Sequence, residues 1–249
     1  MTLPFARIAE IEAATYRCWP AAEVVEYDGW QLRYADGFSR RANSVYPAAP
    51  STLDLGLKLD WCRSWYAERG LDLVVRQTPA TEPGLDDVLA ERGFTEEGRT
   101  DVMAMQLPVA DGPPYLITGA PSALWWEAMA ELWGIGADRR EAWRAIIDRI
   151  DLPGGYGLVI DGNVPTAAGL AVADGPWVGL FEVVVADQWR RRGIGRDLTR
   201  SLMAWGKSQG AQQAFLQVVA QNLPAIEMYL RLGFTRTYGY WYRRAPEAG

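Results

Sequence analysis

The densest chemistry in the sequence lies in one stretch, Leu180-Phe-Glu-Val-Val-Val-Ala-Asp-Gln-Trp-Arg-Arg-Arg-Gly-Ile-Gly-Arg196. An apolar, Val-rich strand runs straight into an Arg- and Gly-rich turn that opens a helix. This is the make-up of an anion cradle. Gly193 and Gly195 allow a backbone to approach a ligand and to adopt conformations that a side chain forbids. The first N–H groups of the following helix have no intrahelical partner and carry the positive end of its dipole. A pyrophosphate fits such a place. Arg190, Arg191, Arg192, Arg196 and Arg200 set five cations within eleven residues of a chain whose net charge is −6. The competing reading is an Arg-rich turn that only meets solvent. Two familiar phosphate loops are absent: there is no GxxxxGK[ST], and Leu198 stands where GxGxxG needs its third glycine.

A second block follows at Asn222-Leu-Pro-Ala-Ile-Glu-Met-Tyr229-Leu-Arg-Leu-Gly233-Phe234. The pair of blocks resembles the GNAT superfamily of acyl-CoA-dependent N-acyltransferases. Arg190-x-x-Gly193-x-Gly195 is similar to its [QR]xxGx[GA] signature, and the later block to its Asn-x-x-Ala-x-x-x-Tyr-x-x-x-Gly-Phe pattern. The resemblance spans Tyr115 to Arg243, about half the chain.

The resemblance implies a co-substrate, acetyl-CoA, no metal, and a role for each matching residue. Val183, Val184 and Val185 would splay from the neighbouring parallel strand and hold the pantetheine arm, with the Val185 N–H polarising the acyl carbonyl. Arg190 would open the pyrophosphate loop. Arg191, Arg192, Gly193, Ile194, Gly195 and Arg196 would complete it, with Arg191 or Arg192 reaching the 3′-phosphate. Asn222 and Ala225 would meet the pantetheine. Tyr229 would be the general acid for the departing thiolate, or else a buried aromatic on an amphipathic helix. Glu182 would be the base on the acceptor side, or else the partner of a nearby Arg. Trp125, Trp126, Trp133 and Trp143 fall on the two helices that wall the acceptor pocket in this family. They would bind an amine with an apolar body, or else fill the core. Glu127 and Glu131 would attract a cation, or merely solvate a helix.

Missing residue types narrow the chemistry further. The chain has no histidine, which removes imidazole bases, His-assisted triads and HExxH zinc sites. A base must then be a carboxylate, a tyrosine, a backbone carbonyl or water. Cys18 and Cys62 cannot form a disulfide framework and read as buried apolar residues. No window approaches 18 uncharged apolar residues, and Met1–Glu10 lacks a signal-peptide pattern, so the expectation is a cytoplasmic protein with no membrane partner. The negative net charge disfavours general nucleic-acid binding.

Elements that could position these residues follow from periodicity and punctuation. The Asp111-Gly112-Pro113-Pro114 run within Pro108–Pro114 marks a linker, predicting units at residues 1–110 and 114–249. In the second unit Ser122 caps a helix carrying Trp125, Met129 and Trp133. A capping-box pattern at Asp138 and Glu141 precedes Trp143, Ile146, Ile147 and Ile150. Strands are expected at Tyr115–Thr118, Tyr156–Ile160, Ala167–Ala173, Val178–Val185, Ala214–Val219 and Tyr238–Arg243. Ile194, Leu198, Leu202 and Trp205 define the helix after the cradle, and Pro224–Leu232 the last one.

The first unit reads as an ambiguous helical start, strands Trp30–Tyr34 and Ala42–Tyr46, and a helix opened by a capping box at Ser51 and Asp54. Strand Leu71–Gln77, helix Leu85–Arg92 and strand Val102–Leu107 follow. Leu73–Thr95 laid over Gln213–Thr235, a shift of 140, gives five identities in 23 positions, including Gly-Phe-Thr at the end. That suggests duplication. The first copy has no Arg-x-x-Gly-x-Gly, and Glu82 and Leu89 stand at the Asn and Tyr positions. The expected fold is therefore α/β: two GNAT-like units, each a mixed, mostly antiparallel sheet flanked by helices, the first degenerate. The expected reaction is acetyl transfer to the primary amine of a small molecule. The alternatives are a non-catalytic acyl-CoA sensor and a protein or peptide N-acetyltransferase. The expected assembly is a monomer with pseudo-dimeric halves, or a homodimer.

Overall fold

The computed structural model describes residues 5–107 and 115–246; the predicted linker Pro108–Pro114 lies outside them. Among the described residues, eleven strands form one continuous sheet. The first half contributes α1 (Phe5–Cys18), β1 (Glu23–Tyr27), β2 (Trp30–Tyr34), β3 (Val45–Pro47), α2 (Leu55–Ala67), β4 (Val74–Gln77), α3 (Leu85–Glu91) and β5 (Thr95–Gln106). The second contributes β6 (Ile117–Thr118), α4 (Ala123–Leu132), α5 (Ala137–Asp148), β7 (Gly154–Asp161), β8 (Val164–Asp174), β9 (Trp177–Val185), α6 (Ile194–Ser208), β10 (Gln213–Val219), α7 (Leu223–Arg231) and β11 (Thr235–Arg244).

Spatial order is β1-β2-β3-β4-β11-β5-β10-β9-β8-β7-β6. Each half gives its last strand to the other: β11 pairs with β4, and β5 pairs with β10. β5 and β11 also pair with one another, and Thr100 faces Tyr240 there. Those two residues are 140 apart, the shift of the sequence repeat. The sheet is thus a near palindrome about that pair, with β1-β2-β3-β4-β11 answering β7-β8-β9-β10-β5. This topology supports a duplicated unit far better than five identities do.

Period-two alternation sends strand residues to two faces. Val102, Ala168, Leu170, Trp177, Phe181 and Phe215 meet α1, α4 and α5 in one core that crosses both halves. On the other face, Leu180, Ala214 and Leu216 meet α6 and α7, and Leu32, Val45 and Val75 meet α2 and α3. Helix α1 clasps the halves together. Its Glu12 pairs with Arg76 of β4 at 2.6 Å, both fully buried, and accepts from Tyr238 of β11. At its other end Arg17 pairs with Asp174 at 2.7 Å, and Trp19 stacks on Phe181.

Two caps differ from expectation. The N-cap of α2 is Asp54, whose carboxylate accepts from the Leu57 N–H at 3.0 Å. Ser51 lies three residues outside the helix. The N-cap of α5 is Gly136, with no side-chain cap, so Asp138 sits in the first turn. The Ser122 cap of α4 is as read. Strand β1 had no expectation, although Asp28-Gly29 is a hairpin signal and both residues have positive φ. Cys18 and Cys62 are free and fully buried, and burial pushes the Cys62 thiol up to about 12.

Candidate active site

The parallel ladder between β9 and β10 runs from Trp177–Gln213 to Leu180–Leu216 and ends there. Beyond it the two strands part. β9 stays on β8, but the register shifts between the pairs Phe181–Leu170 and Val184–Ala168. The shift is a bulge containing Glu182, a non-glycine residue at φ +53°. A bulge re-aims side chains. Val183 and Val185 pack with the α6 core, while Glu182 lines a cavity beside α4 and α5. The Ala186 N–H donates to Thr166 at 2.9 Å. Alternation along an antiparallel ladder then turns the N–H and C=O of Val185 away from β8, into the gap. Its carbonyl accepts from Arg190 Nε at 3.2 Å.

The cradle closes the end of that gap. Gly193 is the N-cap of α6 at φ +84°, with no side-chain cap over the first N–H groups. Arg191 also has positive φ, at +66°. A Cβ on Gly195 would lie 3.3 Å from Val185 Cγ2 and 3.4 Å from Met228 Sδ, so glycine allows β9, α6 and α7 to meet closely. Arg190, Arg191, Arg192 and Arg196 are exposed, and two of them pair locally: Arg190 with Asp187 at 2.7 Å and Arg196 with Asp197 at 2.8 Å. The Arg192 guanidinium stacks 4.7 Å from the Trp189 ring.

On α7, Asn222 is the N-cap, accepting from the Ala225 N–H at 3.3 Å. Its helix-capping duty leaves the amide NH2 without a hydrogen bond to a described residue. The Tyr229 ring is buried against Phe234 at 5.7 Å. Burial pushes its phenol up to about 12. A proton therefore stays on it at neutral pH, where it is available to donate.

Beside α4 and α5 lies a cavity of about 210 Å³ lined by Phe38, Trp133, Gly134, Ile135, Gly136, Arg139 and Glu182. Trp133 Nε1 donates to the Glu182 carbonyl at 3.1 Å, which ties α4 to the bulge. Burial raises the Glu182 carboxyl above the usual range, and the Arg41 guanidinium pulls it the other way. Of the four tryptophans, Trp133 is at the cavity. Trp125 is sealed in the core with Nε1 on the Gly157 and Gly169 carbonyls, edge-on to Trp126 and stacked on Trp143. Those three serve as packing behind the wall. Glu127 is engaged by Arg140 at 3.1 Å. Phe38, Ile135 and Arg139 were not legible in the sequence as site residues. Nothing local marks them, and Phe38 meets Arg139 across 101 positions of chain.

The first half has a counterpart to the cradle, and its own carboxylates fill it. Asp28, on the β1–β2 turn, accepts from the N–H groups of Thr52 and Leu53 at 3.0 and 3.1 Å. Glu82 accepts from the Ser51 N–H at 2.8 Å. Lys58, fully buried, donates to Asp28 at 3.0 Å and to Ser51 at 2.8 Å, and lies 4.0 Å over the Trp30 ring. The hydrogen bonds from Thr52, then Leu53 and Lys58, hold the Asp28 carboxyl well below its usual range. Leu89, at the position matching Tyr229, is apolar and buried.

A splayed parallel strand pair ending in a glycine-capped helix, within a mixed sheet of this order, defines an acetyltransferase of the GNAT type. The sequence family described as "Probable histone acetyltransferase Rv0428c C-terminal" matches residues 5–243, and the chain belongs to it. An uncharacterized N-acetyltransferase of Bacillus subtilis (strain 168), YobR, is 29% identical over 249 residues, covering 95% of this chain and 98% of its own. Among solved structures, a GCN5-related N-acetyltransferase from Kribbella flavida superposes with a TM-score of 0.68 at 22% identity, covering 100% of this chain and 97% of its own. A tandem GNAT protein from the clavulanic acid biosynthesis pathway gives 0.63 at 12% identity, covering 96% and 89%. At those identities the likeness is one of fold. No helix among the described residues is long and apolar enough to cross a membrane.

Proposed function

We propose that the chain is an acetyl-CoA-dependent N-acetyltransferase. One donor site lies in the second unit (114–249), and the first unit (1–110) shapes the acceptor side. The observation that carries this is the parting of β9 and β10 after Leu180–Leu216, directly above an uncapped helix N-terminus at Gly193. The gap offers main-chain groups to a pantetheine arm, and the cradle offers unpaired N–H groups to a pyrophosphate.

When bound, acetyl-CoA supplies an acyl group already activated as a thioester, so neither metal nor imidazole is needed. Ile194, Gly195 and Arg196 hold the pyrophosphate through their N–H groups, with Arg190, Arg191 and Arg192 adding charge. Val183, Val184, Asn222 and Ala225 align the arm. The Val185 N–H faces the acyl oxygen, where a fixed dipole costs no reorganisation. Glu182 takes the proton from the acceptor ammonium, directly or through water. The amine then attacks the acyl carbon, the C–S bond breaks as Tyr229 gives its proton to sulfur, and the proton that the nitrogen loses in becoming an amide restores the phenol. Trp133 walls the acceptor, with Trp125 and Trp126 behind it. A small amine suits the cavity of about 210 Å³.

Thermal-shift titration with acetyl-CoA tests the donor site. At a hundred times Kd the wild-type protein gains about 2.7 kcal/mol. Gly193→Glu loses that gain, because it adds both strain and negative charge, and Arg191→Ala diminishes it. Undiminished stabilisation of both variants overturns the assignment.

A further inference from the structure

Resting on the reading above, we propose that the first half completes the acceptor site, and that Arg41, with Arg139 at the rim, selects amines that also carry a carboxylate. The loop between β2 and β3 carries both Phe38 and Arg41. It is built as a rigid unit around the buried Asn43 side chain. Asn43 Oδ1 accepts from the Ala35 and Gly37 N–H groups at 2.7 and 3.0 Å, and Nδ2 donates to the Ser39 and Ala35 carbonyls at 2.8 and 3.2 Å. Arg139 of α5 then locks the loop to the second half by donating to the Phe38 carbonyl at 2.7 Å, its guanidinium 5.0 Å from the Phe38 ring.

Arg41 is fixed at the mouth of the gap. Its Nε donates at 2.9 Å to Oε1 of Gln217, the residue after the last β9–β10 pair. Its guanidinium lies 5.2 Å from the Trp19 ring and 5.4 Å from the Phe181 ring, next in sequence to Glu182. Both terminal nitrogens are without a hydrogen bond to a described residue. Arg139 lines the cavity together with Glu182, and Arg41 stands by the ring of the residue before it. A simple alkylammonium entering this site meets more positive than negative charge. An amine bearing a carboxylate satisfies both: the guanidinium fork grips the carboxylate through paired N–H donors, and Glu182 receives the amine. Phe38, Trp133 and Ile135 offer apolar walls to the body of an amino acid.

The test uses the full chain and matched acceptors: L-phenylalanine, L-phenylalaninamide, phenethylamine and a lysine-containing peptide. Two readouts are taken, thiol release at saturating acetyl-CoA and the melting temperature of the CoA-loaded protein. The amino acid is expected to exceed its amide in kcat/KM by about tenfold or more, and to stabilise the CoA-loaded protein where the amide does not. Arg41→Gln should erase the preference by raising KM for the acid, and Arg41→Lys should restore part of it. Arg139→Gln, a rim change, gives an independent and smaller loss. An amide or peptide used as well as the acid overturns the proposal, as does an acid that neither reacts nor stabilises, or a preference intact in Arg41→Gln. Those outcomes leave the donor site standing. Failure of acetyl-CoA itself to stabilise the wild-type protein sinks both.

Discussion

The two halves answer the same geometric problem in opposite ways. Each has a parallel strand pair (β3 with β4, β9 with β10) and a helix starting beyond it, so each brings main-chain N–H groups together where the chain enters that helix. In the second half glycine caps the helix and arginines surround it. In the first, Asp28 and Glu82 supply anions from within the chain, and the buried Lys58 balances the charge. An unpaired helix entry demands an anion, and a fold can satisfy it with a ligand or with its own carboxylates. The second choice turns a binding site into a structural joint. It also frees the first half's loops for another task, and Phe38 duly reaches the second half's cavity.

Removing the joint's cation should give the largest effect. Lys58→Ala leaves the Asp28 carboxylate without its cation and a cavity against Trp30, read as a fall in melting temperature of roughly 10 °C. Acetyl-CoA affinity of the folded variant should be unchanged. A loss of affinity out of proportion to the fall in stability would break the comparison, because the first half would then take part in donor binding.

Tyr229→Phe probes the other half. It keeps the packing on Phe234 and removes one proton donor, so kcat should fall about 100-fold while acetyl-CoA stabilisation persists. Wild-type turnover would remove Tyr229 from the chemistry and leave it as the counterpart of Leu89, a packing residue in both copies.

The smallest effect concerns Glu182 and stability. Burial raises its carboxyl in the folded state. The ionised form is therefore disfavoured by folding, and stability is lost as pH rises from the unfolded value, about 4.3, through the folded one. Glu182→Gln should be the more stable protein near pH 7, with the gain vanishing below about pH 4 as both states protonate. Chemical denaturation at the two pH values reads the difference. A gain that persists at low pH would mean that it does not come from ionisation of Glu182, and would overturn this reading.

Much of this was legible because it is local. The Arg-Gly turn, the Ser122 cap, and the Gly-Phe ends of α3 and α7 follow from short-range backbone needs, and these give positions to within a residue or two. The Ser51 and Asp138 caps misled, since a capping box needs only two residues at a spacing, and other groups claimed the helix entries. At α2 the winning cap was Asp54, because Ser51 is held by Lys58 and Glu82. The acceptor tryptophans show the same limit. Period alone put four on one pair of helices; depth in the core separated Trp133 from the rest.

By itself the sequence determined the chemistry available: no imidazole, a cationic glycine cradle after a Val-rich strand, a carboxylate and a phenol at fixed distances along the chain. Tertiary structure alone decided which groups meet. The exchange of β5 and β11, the bulge that turns Glu182 to a cavity beside α4 and α5, Asp28 on the loop before α2 and Arg41 by the Phe181 ring all join residues far apart in sequence. Such contacts are set by how two sheet halves close on one another, and no local pattern of residues encodes that closure.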